Sequence, residues 1–586
     1  MKSNIKNFIS MIVIASALFS CSDYLEEINP NNVSADVYWS TLEESNDNLT
    51  SVYGAMLNHF ILGFEVESWR SDTGFPKSRT SPYGKGLPWY QQTFTNSLSD
   101  VSSRWDALYQ VIYRANQVIE GLESMGDDLK VQDAWTEQMA QARFFRGLAH
   151  FYLHSTYNNG EIIIRDFVPT NSEEFSLPLS SSEEVTAFFR KDLVFAYENL
   201  PAKFDTKTRV SAGVAATVLG KSYLYTEEYD IAMTYLNDVI SNSAYGYELL
   251  EGNNVDLLFT SAGDYNSESI FEINFSDQHQ LEDDVWDEES FFNRWARYSA
   301  PTGSIQGIAI FIPPSWMTYE YSNEPLDTQD SRNYVDDGNG GIKLRNVPLR
   351  AAQMVALVND EQSEYYLAPA ANEIDKFAGT VFSFFKKFTN HDIVASEADI
   401  ALTPWKSGKN VIVDRLADVY LMYAECLIKT GNIDEALFYI NKIRQRWGLV
   451  SLGFSDGSAH DFDEVNYNEQ TLMNQLMFID KPLELAVEGY ATRSIDLRRW
   501  GVAKQRFQDL ADMNFYLIDY SYTAEDGTAA TRPLSLIQKG ISPDDSTNPK
   551  VQLKEYEDAA INYNASLHGY LPLPLSEILN NQNLFN

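Results

Sequence analysis

Residues 212–240 read AGVAATVLGKSYLYTEEYDIAMTYLNDVI. The order Leu219-Gly220, Tyr223, Ala232 and then Leu236 is that of a helical hairpin in which small residues let two helices approach and larger ones fill the groove between them. A single hairpin of this kind cannot bury its own apolar face, so it predicts neighbouring helix pairs.

A looser copy runs from Leu416 to Gln445, LADVYLMYAECLIKTGNIDEALFYINKIRQ, with Ala424 in the small position, Leu427 in the groove, and Ala436 and Ile440 in the second helix. Gly431-Asn432 supplies the turn. Both stretches follow the tetratricopeptide spacing. Helical periodicity also covers residues 105–122, where Leu108, Ile112, Ala115 and Ile119 share one stripe, and residues 139–157, where Ala142, Phe145, Ala149 and Tyr152 do. These two read as an antiparallel pair. Between the hairpin copies, residues 246–409 are rich in turns, with short strand-like runs at Ser269 to Phe275 and Thr380 to Phe385. The predicted fold class is mainly α: tetratricopeptide-like helix pairs form a scaffold carrying a large irregular loop region and a few short strands. Long loops on such a scaffold are where function is expected.

The chain has 83 acidic against 44 basic side chains and a formal net charge of -39. A field of that sign repels nucleic acid and anionic lipid head groups, so no nucleic-acid partner is expected. Aromatic residues make up 13% of the chain, more than a helical core needs. Tyr and Trp in polar loops suit a carbohydrate surface, because their rings offer apolar faces to sugar C–H groups while their edges still meet water.

Several segments together resemble the SusD/RagB family of surface lipoproteins. They are YRANQVIEG (113–121), QARFFRGLAHFYL (141–153), RLADVYLMYAECLIKTG (415–431), VEGYATRSIDLRRWG (487–501) and the closing YLPLPLSEILNNQNL (570–584). The resemblance implies a helical scaffold with an irregular loop region above it. It also implies a cell-surface protein that captures oligosaccharide or polysaccharide and delivers it to a partner TonB-dependent outer-membrane transporter of the SusC type. A peptide-import role of the RagB type stays open beside it, and a glycan-active enzyme is the weaker alternative.

The start of the chain agrees with export. Lys2 and Lys6 precede an apolar run from Phe8 to Phe19, the order of a secretory signal and too short for the ~20 residues a membrane span needs. Leu18-Phe19-Ser20-Cys21 resembles a lipobox, with Cys21 as the lipidated residue, and Asp23, Glu26 and Glu27 resemble the signal that sends such proteins to the outer face of the outer membrane in Bacteroidota. Cys426 is then alone, a small buried hydrophobe within a helix, and no internal disulfide is expected. The expected organisation is a signal peptide (1–20), a lipid anchor and tether (21–45), an N-terminal helical region (46–260) and a C-terminal region (261–586) packed on it as one globule.

The first candidate binding loop is residues 67–96, ESWRSDTGFPKSRTSPYGKGLPWYQQTFTN. It supplies Trp69, Trp89 and Tyr90 for stacking, with Asp72, Arg79 and Asn96 able to bond vicinal hydroxyls. Its glycines and prolines argue against helix, and so against all of its aromatic residues being core. Asp72, Arg79, Trp89 and Asn96 match the order in which an Asp, an Arg, a Trp and an Asn recur in the family. Trp295 and Trp316, with Trp286 and Tyr298, are expected to form the opposite wall, although Phe291, Phe292 and Trp295 also fit an inward-packed helical face. Arg70, Lys77, Arg79 and Lys85 neutralise the acidic surroundings or tolerate an acidic sugar. Arg493, Asp496, Arg498 and Arg499 read as a packed polar network beside Trp500 rather than as catalytic groups. The histidines form no His-Glu-x-x-His spacing, and no Gly-x-Ser-x-Gly or Walker-type loop occurs. No catalytic residue, metal or cofactor is therefore expected; a structural Ca²⁺ in the acidic residues 282–289 has no spaced ligand loop behind it.

Overall fold

The computed structural model describes residues 39–78, 81–278, 290–338, 340–370, 377, 381–401, 404–524, 527–543 and 552–586. Cys21 and the acidic residues 282–289, and with them the expected lipidation and Ca²⁺ sites, lie outside the described residues, as do Arg79 and Trp286.

The helices used below are α1 (Leu42–Ala55), α2 (Phe64–Arg70), α3 (Ser99–Ser124), α4 (Asp133–Thr156), α5 (Ser182–Asn199), α6 (Ala212–Tyr225), α7 (Tyr229–Ser241), α8 (Trp295–Ser299), α9 (Ser315–Ser322), α10 (Leu416–Lys429), α11 (Ile433–Arg446), α12 (Thr492–Arg499) and α13 (Leu575–Asn580). Local chemistry starts several of them. Thr41 with Glu44 and Ser181 with Glu184 form reciprocal capping boxes at α1 and α5, each satisfying backbone N–H groups that a helix start otherwise leaves bare.

Packing then links the helices in one continuous series. α1 lies on α3, α3 on α4, α4 on α5, α5 on α6 and α6 on α7; α7 packs against α10, and α10 against α11. The two hairpins that share a spacing in sequence are therefore neighbours in space, although the whole loop region separates them along the chain. Gly220 shows why the spacing matters: a Cβ there would sit 2.6 Å from Leu236 Cδ2 of the facing helix, which leaves no room for any other residue without displacement. Gly431 closes the second hairpin at φ +84°, a conformation glycine adopts freely. Cys426 is buried in α10, where desolvation pushes its thiol up to about 12.

The loop region carries the strands. Ser269–Ile273 pairs antiparallel with Val411–Arg415, and Val355–Leu357 with Ser383–Phe385, so both strand-like runs expected from sequence are present. A longer hairpin, Phe515–Thr523 with Ala529–Lys539, was not anticipated.

Beneath these strands lies a charged core. Arg415 bonds Glu488 at 2.7 Å, Glu268 at 2.7 Å and Glu484 at 2.8 Å; Arg446 pairs with both Glu268 and Glu484, and Trp447 donates its indole N–H to Glu484 at 2.7 Å. Burial alone would raise the Glu484 carboxyl, but Arg446, Arg415 and Arg350 outweigh it and hold it well below the usual range. Because each of these charges is buried, removing any one leaves the network with an uncompensated buried charge.

Candidate functional site

The first loop folds inward. Helix α2 continues through Trp69 and Arg70, and Leu87–Tyr90 forms a further helical turn, so the loop's glycines and prolines do not keep its aromatic residues out of the core. Trp89 is 1% exposed and stacks on Phe94 with ring centroids 4.7 Å apart. Trp69 is buried against Tyr83. The Tyr90 hydroxyl accepts the Tyr556 backbone N–H at 2.8 Å. Trp295 donates its indole N–H to Glu65 at 3.0 Å and packs on Phe64 and Phe388. Trp316 donates to the Asp72 carbonyl at 2.6 Å, with the Arg506 guanidinium over its ring. These five rings form a covered base beneath the loop, which corrects the expectation that they stack on a ligand: no sugar face can reach them in this packing.

Asp72 is corrected in the same way. It is fully buried and takes a bidentate bond from Arg493 at 2.6 and 2.7 Å, with a third from Arg506 at 2.7 Å. Burial would raise its carboxyl; the two guanidiniums overcome this and hold it far below the ordinary range. It ties the first loop to the chain's C-terminal part. The rest of the Val487–Gly501 segment behaves as read from sequence: Arg499 bonds Asp496 at 2.8 Å and also Glu425, whose carboxylate accepts the Trp500 indole N–H at 2.7 Å. Asn96 is half-buried and its carbonyl accepts the Leu575 backbone N–H at 3.1 Å, on the side facing α13.

A different set of side chains forms the open rim above this base. Reciprocal backbone bonds join Phe75 to Ile312, Ile308 and Ile310 bond the carbonyls of Arg297 and Tyr298, and Asn293 pairs with Ser407. These bonds bring the short hairpin of Lys77–Ser78 and Ser81–Pro82, helix α8 and residues 404–409 to one surface. Tyr83 and Tyr298 are half-buried there, and burial pushes the Tyr298 phenol up to about 12. The Arg297 guanidinium lies 5.1 Å from the Trp405 ring centroid, and its Nε is buried without a hydrogen-bond partner among the described residues.

Trp405 is the exposed tryptophan among the described residues, at 37%. Its backbone sits at φ +67°, a left-handed conformation that costs a bulky residue energy and that persists at sites where it serves a purpose. The ring meets Arg297 and is exposed over part of its surface. Sequence reasoning passed over both residues. The signal was present in TPWKSGKN (403–410), an aromatic residue set among turn formers where a core position is not expected.

Under the rim, Glu65 is buried with the Trp295 indole as its hydrogen-bond donor, and desolvation pushes its carboxyl up to about 7. Among the described residues no group of three or more His, Cys, Asp or Glu side chains could hold a metal ion, and no helix is long and apolar enough to cross a membrane.

The profile described as the SusD family matches residues 267–586, more than half of the chain. The chain belongs to the SusD family. A second profile, described as starch-binding and associating with the outer membrane, matches residues 19–224. A SusD-like protein of Formosa agariphila is 24% identical over 532 residues, covering 86% of this chain and 92% of the relative. One from Bacteroides ovatus is 22% identical over 510 residues, covering 76% and 77%. Among solved structures, a SusD superfamily protein from Bacteroides vulgatus matches with a TM-score of 0.68 at 22% identity over 93% of this chain and 98% of that one. A structure titled as a laminarin-binding SusD-like protein matches with a TM-score of 0.62 at 20% identity over 93% and 98%. The SusD fold of the helical scaffold is thus shared with these proteins, and the family is one of carbohydrate-binding proteins associated with the outer membrane.

Proposed function

We propose that this SusD-family protein is a lipoprotein, anchored at Cys21 on the outer face of the outer membrane, that captures glycan chains on the rim of Tyr83, Arg297, Tyr298 and Trp405 and delivers them to a TonB-dependent transporter. The observation that carries the binding site is Trp405: an exposed indole held in left-handed backbone beside the Arg297 guanidinium. An open ring takes the apolar face of a pyranose, and Arg297 with the phenols of Tyr83 and Tyr298 can bond its hydroxyls. Family membership and the laminarin-binding neighbour support glycan as the cargo. The covered base gives the rim a rigid floor, so little ordering is needed on binding.

The test is a panel of neutral glycans and short peptides against the chain from Ser22 onward, with calorimetry on each hit and on its Trp405→Ala variant. Binding to one glycan class, weakened about tenfold or more in the variant with an unchanged melting temperature, is the expected result. Glycan binding indifferent to Trp405 would remove the rim from the proposal, and binding of peptides alone would replace the cargo.

A further inference from the structure

A second aromatic pocket lies on the face of the scaffold formed by α3, residues 161–175 and α13. It encloses about 250 Å³, the space of roughly eight waters at ~30 Å³ each, which is enough for a sugar ring. Trp105, Tyr109 and Tyr113 project from successive turns of α3, Phe175 faces them from the loop, and the carboxylates of Asp106 and Glu577 stand at the edge. Tyr113 is 42% exposed and Phe175 is 55% exposed, so neither ring is spent on the core.

The walls are fixed. The Tyr109 hydroxyl donates to the Ile163 carbonyl at 2.8 Å and accepts the Ile163 N–H at 3.1 Å. Asn116 donates to the carbonyls of Arg165 and Phe167 at 3.1 and 3.2 Å, and Arg165 donates to the carbonyls of Glu174 and Phe175 at 3.4 and 2.6 Å. Side chains of the pocket thus pin the loop backbone to α3 and hold the Phe175 ring out in solvent. Glu577 is oriented as well: one oxygen accepts Asn581 Nδ2 at 2.8 Å and the other accepts the Trp105 indole N–H at 3.3 Å.

We propose that this pocket is a second carbohydrate site, taking one neutral pyranose unit of a glycan chain. A pyranose has the two surfaces the pocket offers partners for: a C–H face for Tyr113 and Phe175, and hydroxyls that donate to the Asp106 and Glu577 carboxylates. Two carboxylates stand against the one Arg165 guanidinium in the lining, which disfavours an acidic sugar. A prearranged second site raises the retention of a long chain without any change at the first. The proposal shares the glycan reading of the rim but uses none of its residues, so the two can fail separately.

The experiment titrates laminarihexaose, maltohexaose and xylohexaose into the chain from Ser22 onward and into Tyr113→Ala, Phe175→Ala and Trp405→Ala, by calorimetry, with a melting curve for each protein. The expected result is binding of at least one hexasaccharide at two sites in the parent. Tyr113→Ala and Phe175→Ala each weaken one of them about tenfold while Trp405→Ala weakens only the other, and all three variants melt as the parent does. The proposal is overturned if no hexasaccharide binds, if binding is unchanged in both pocket variants, or if a tetralysine peptide binds in a Tyr113-dependent way and the sugars do not. Loss confined to Trp405→Ala would leave the rim standing and remove the pocket.

Discussion

The buried base and the open rim of the first loop are built from the same kinds of residue. Each has tryptophan, tyrosine, and arginine beside an aromatic ring: Arg506 lies 4.3 Å from the Trp316 centroid, and Arg297 lies 5.1 Å from that of Trp405. They differ in how far their rings are covered. In the base, Trp295 and Trp316 donate to Glu65 and to the Asp72 carbonyl, and the Asp72 carboxylate spends its oxygens on two guanidiniums. In the rim, Trp405 is 37% exposed, whereas no tryptophan of the base exceeds 3%. Composition therefore identifies the region, and burial tells the floor from the binding surface, since both hold polar atoms unpaired among the described residues, the Trp69 and Trp89 indole nitrogens in the base and Arg297 Nε in the rim.

The largest expected effect lies in the base. Asp72→Ala strips the partner from Arg493 and Arg506, both of which remain buried or nearly so beside Met477 and Trp316. Breaking such a pair by removing one member costs about 3–5 kcal/mol, read as a shifted midpoint in chemical denaturation. A loss under ~1 kcal/mol, accompanied by lost glycan affinity, would return Asp72 to the binding surface and dissolve the distinction between floor and rim.

Glu65 gives a pH-dependent version of the same test. Its carboxyl rises from 4.5 to about 7 on folding, chiefly through desolvation, so between those values the native state binds the extra proton. The protonated form's advantage is fully present below pH 4.5 and is lost as pH rises through 7. At ~1.4 kcal/mol per pKa unit, the loss amounts to about 3 kcal/mol. Glu65→Gln keeps an acceptor for the Trp295 indole and carries no charge, so it should flatten this part of the stability curve and be the more stable protein at pH 8. Melting curves of both proteins at pH 4.5 and pH 8 check it; parallel curves would show that Glu65 is solvated and that the floor is not dry.

The scaffold was legible because its signals are local. Leu219-Gly220 and Ala232, or Ala424 and Ala436, sit within a single helical hairpin, and the close approach of Gly220 to Leu236 is the contact their spacing implies. The site was less legible because burial of a loop aromatic depends on distant partners. Trp316 is satisfied by a residue 244 positions away, and Asp72 by arginines 421 and 434 positions away. No pattern within the first loop records those partners, so Asp72 read as available to a ligand. The converse holds for Trp405: its exposure depends on Asn293 and Ser407 pairing across the loop region, while its turn-rich surroundings were the one local cue.

The smallest expected effect on stability is also the sharpest comparison. Trp405 occupies φ +67°, where a non-glycine residue bears about 1 kcal/mol or more of backbone strain. Trp405→Gly relieves that strain and forfeits a cation–π contact with Arg297 worth about 0.5–1 kcal/mol at an exposed site. Those contributions nearly cancel, so the variant should unfold within roughly 0.5 kcal/mol of the parent while glycan affinity falls as in Trp405→Ala. A residue of the floor cannot behave this way, because its removal opens a cavity, at a cost of about 3–5 kcal/mol for a buried tryptophan. If Trp405→Gly instead loses more than ~2 kcal/mol, the indole is holding residues 404–409 against α8, and its exposure is incidental to binding. A strained, exposed tryptophan whose removal costs nothing in stability has its backbone held for the sake of what the ring touches from outside.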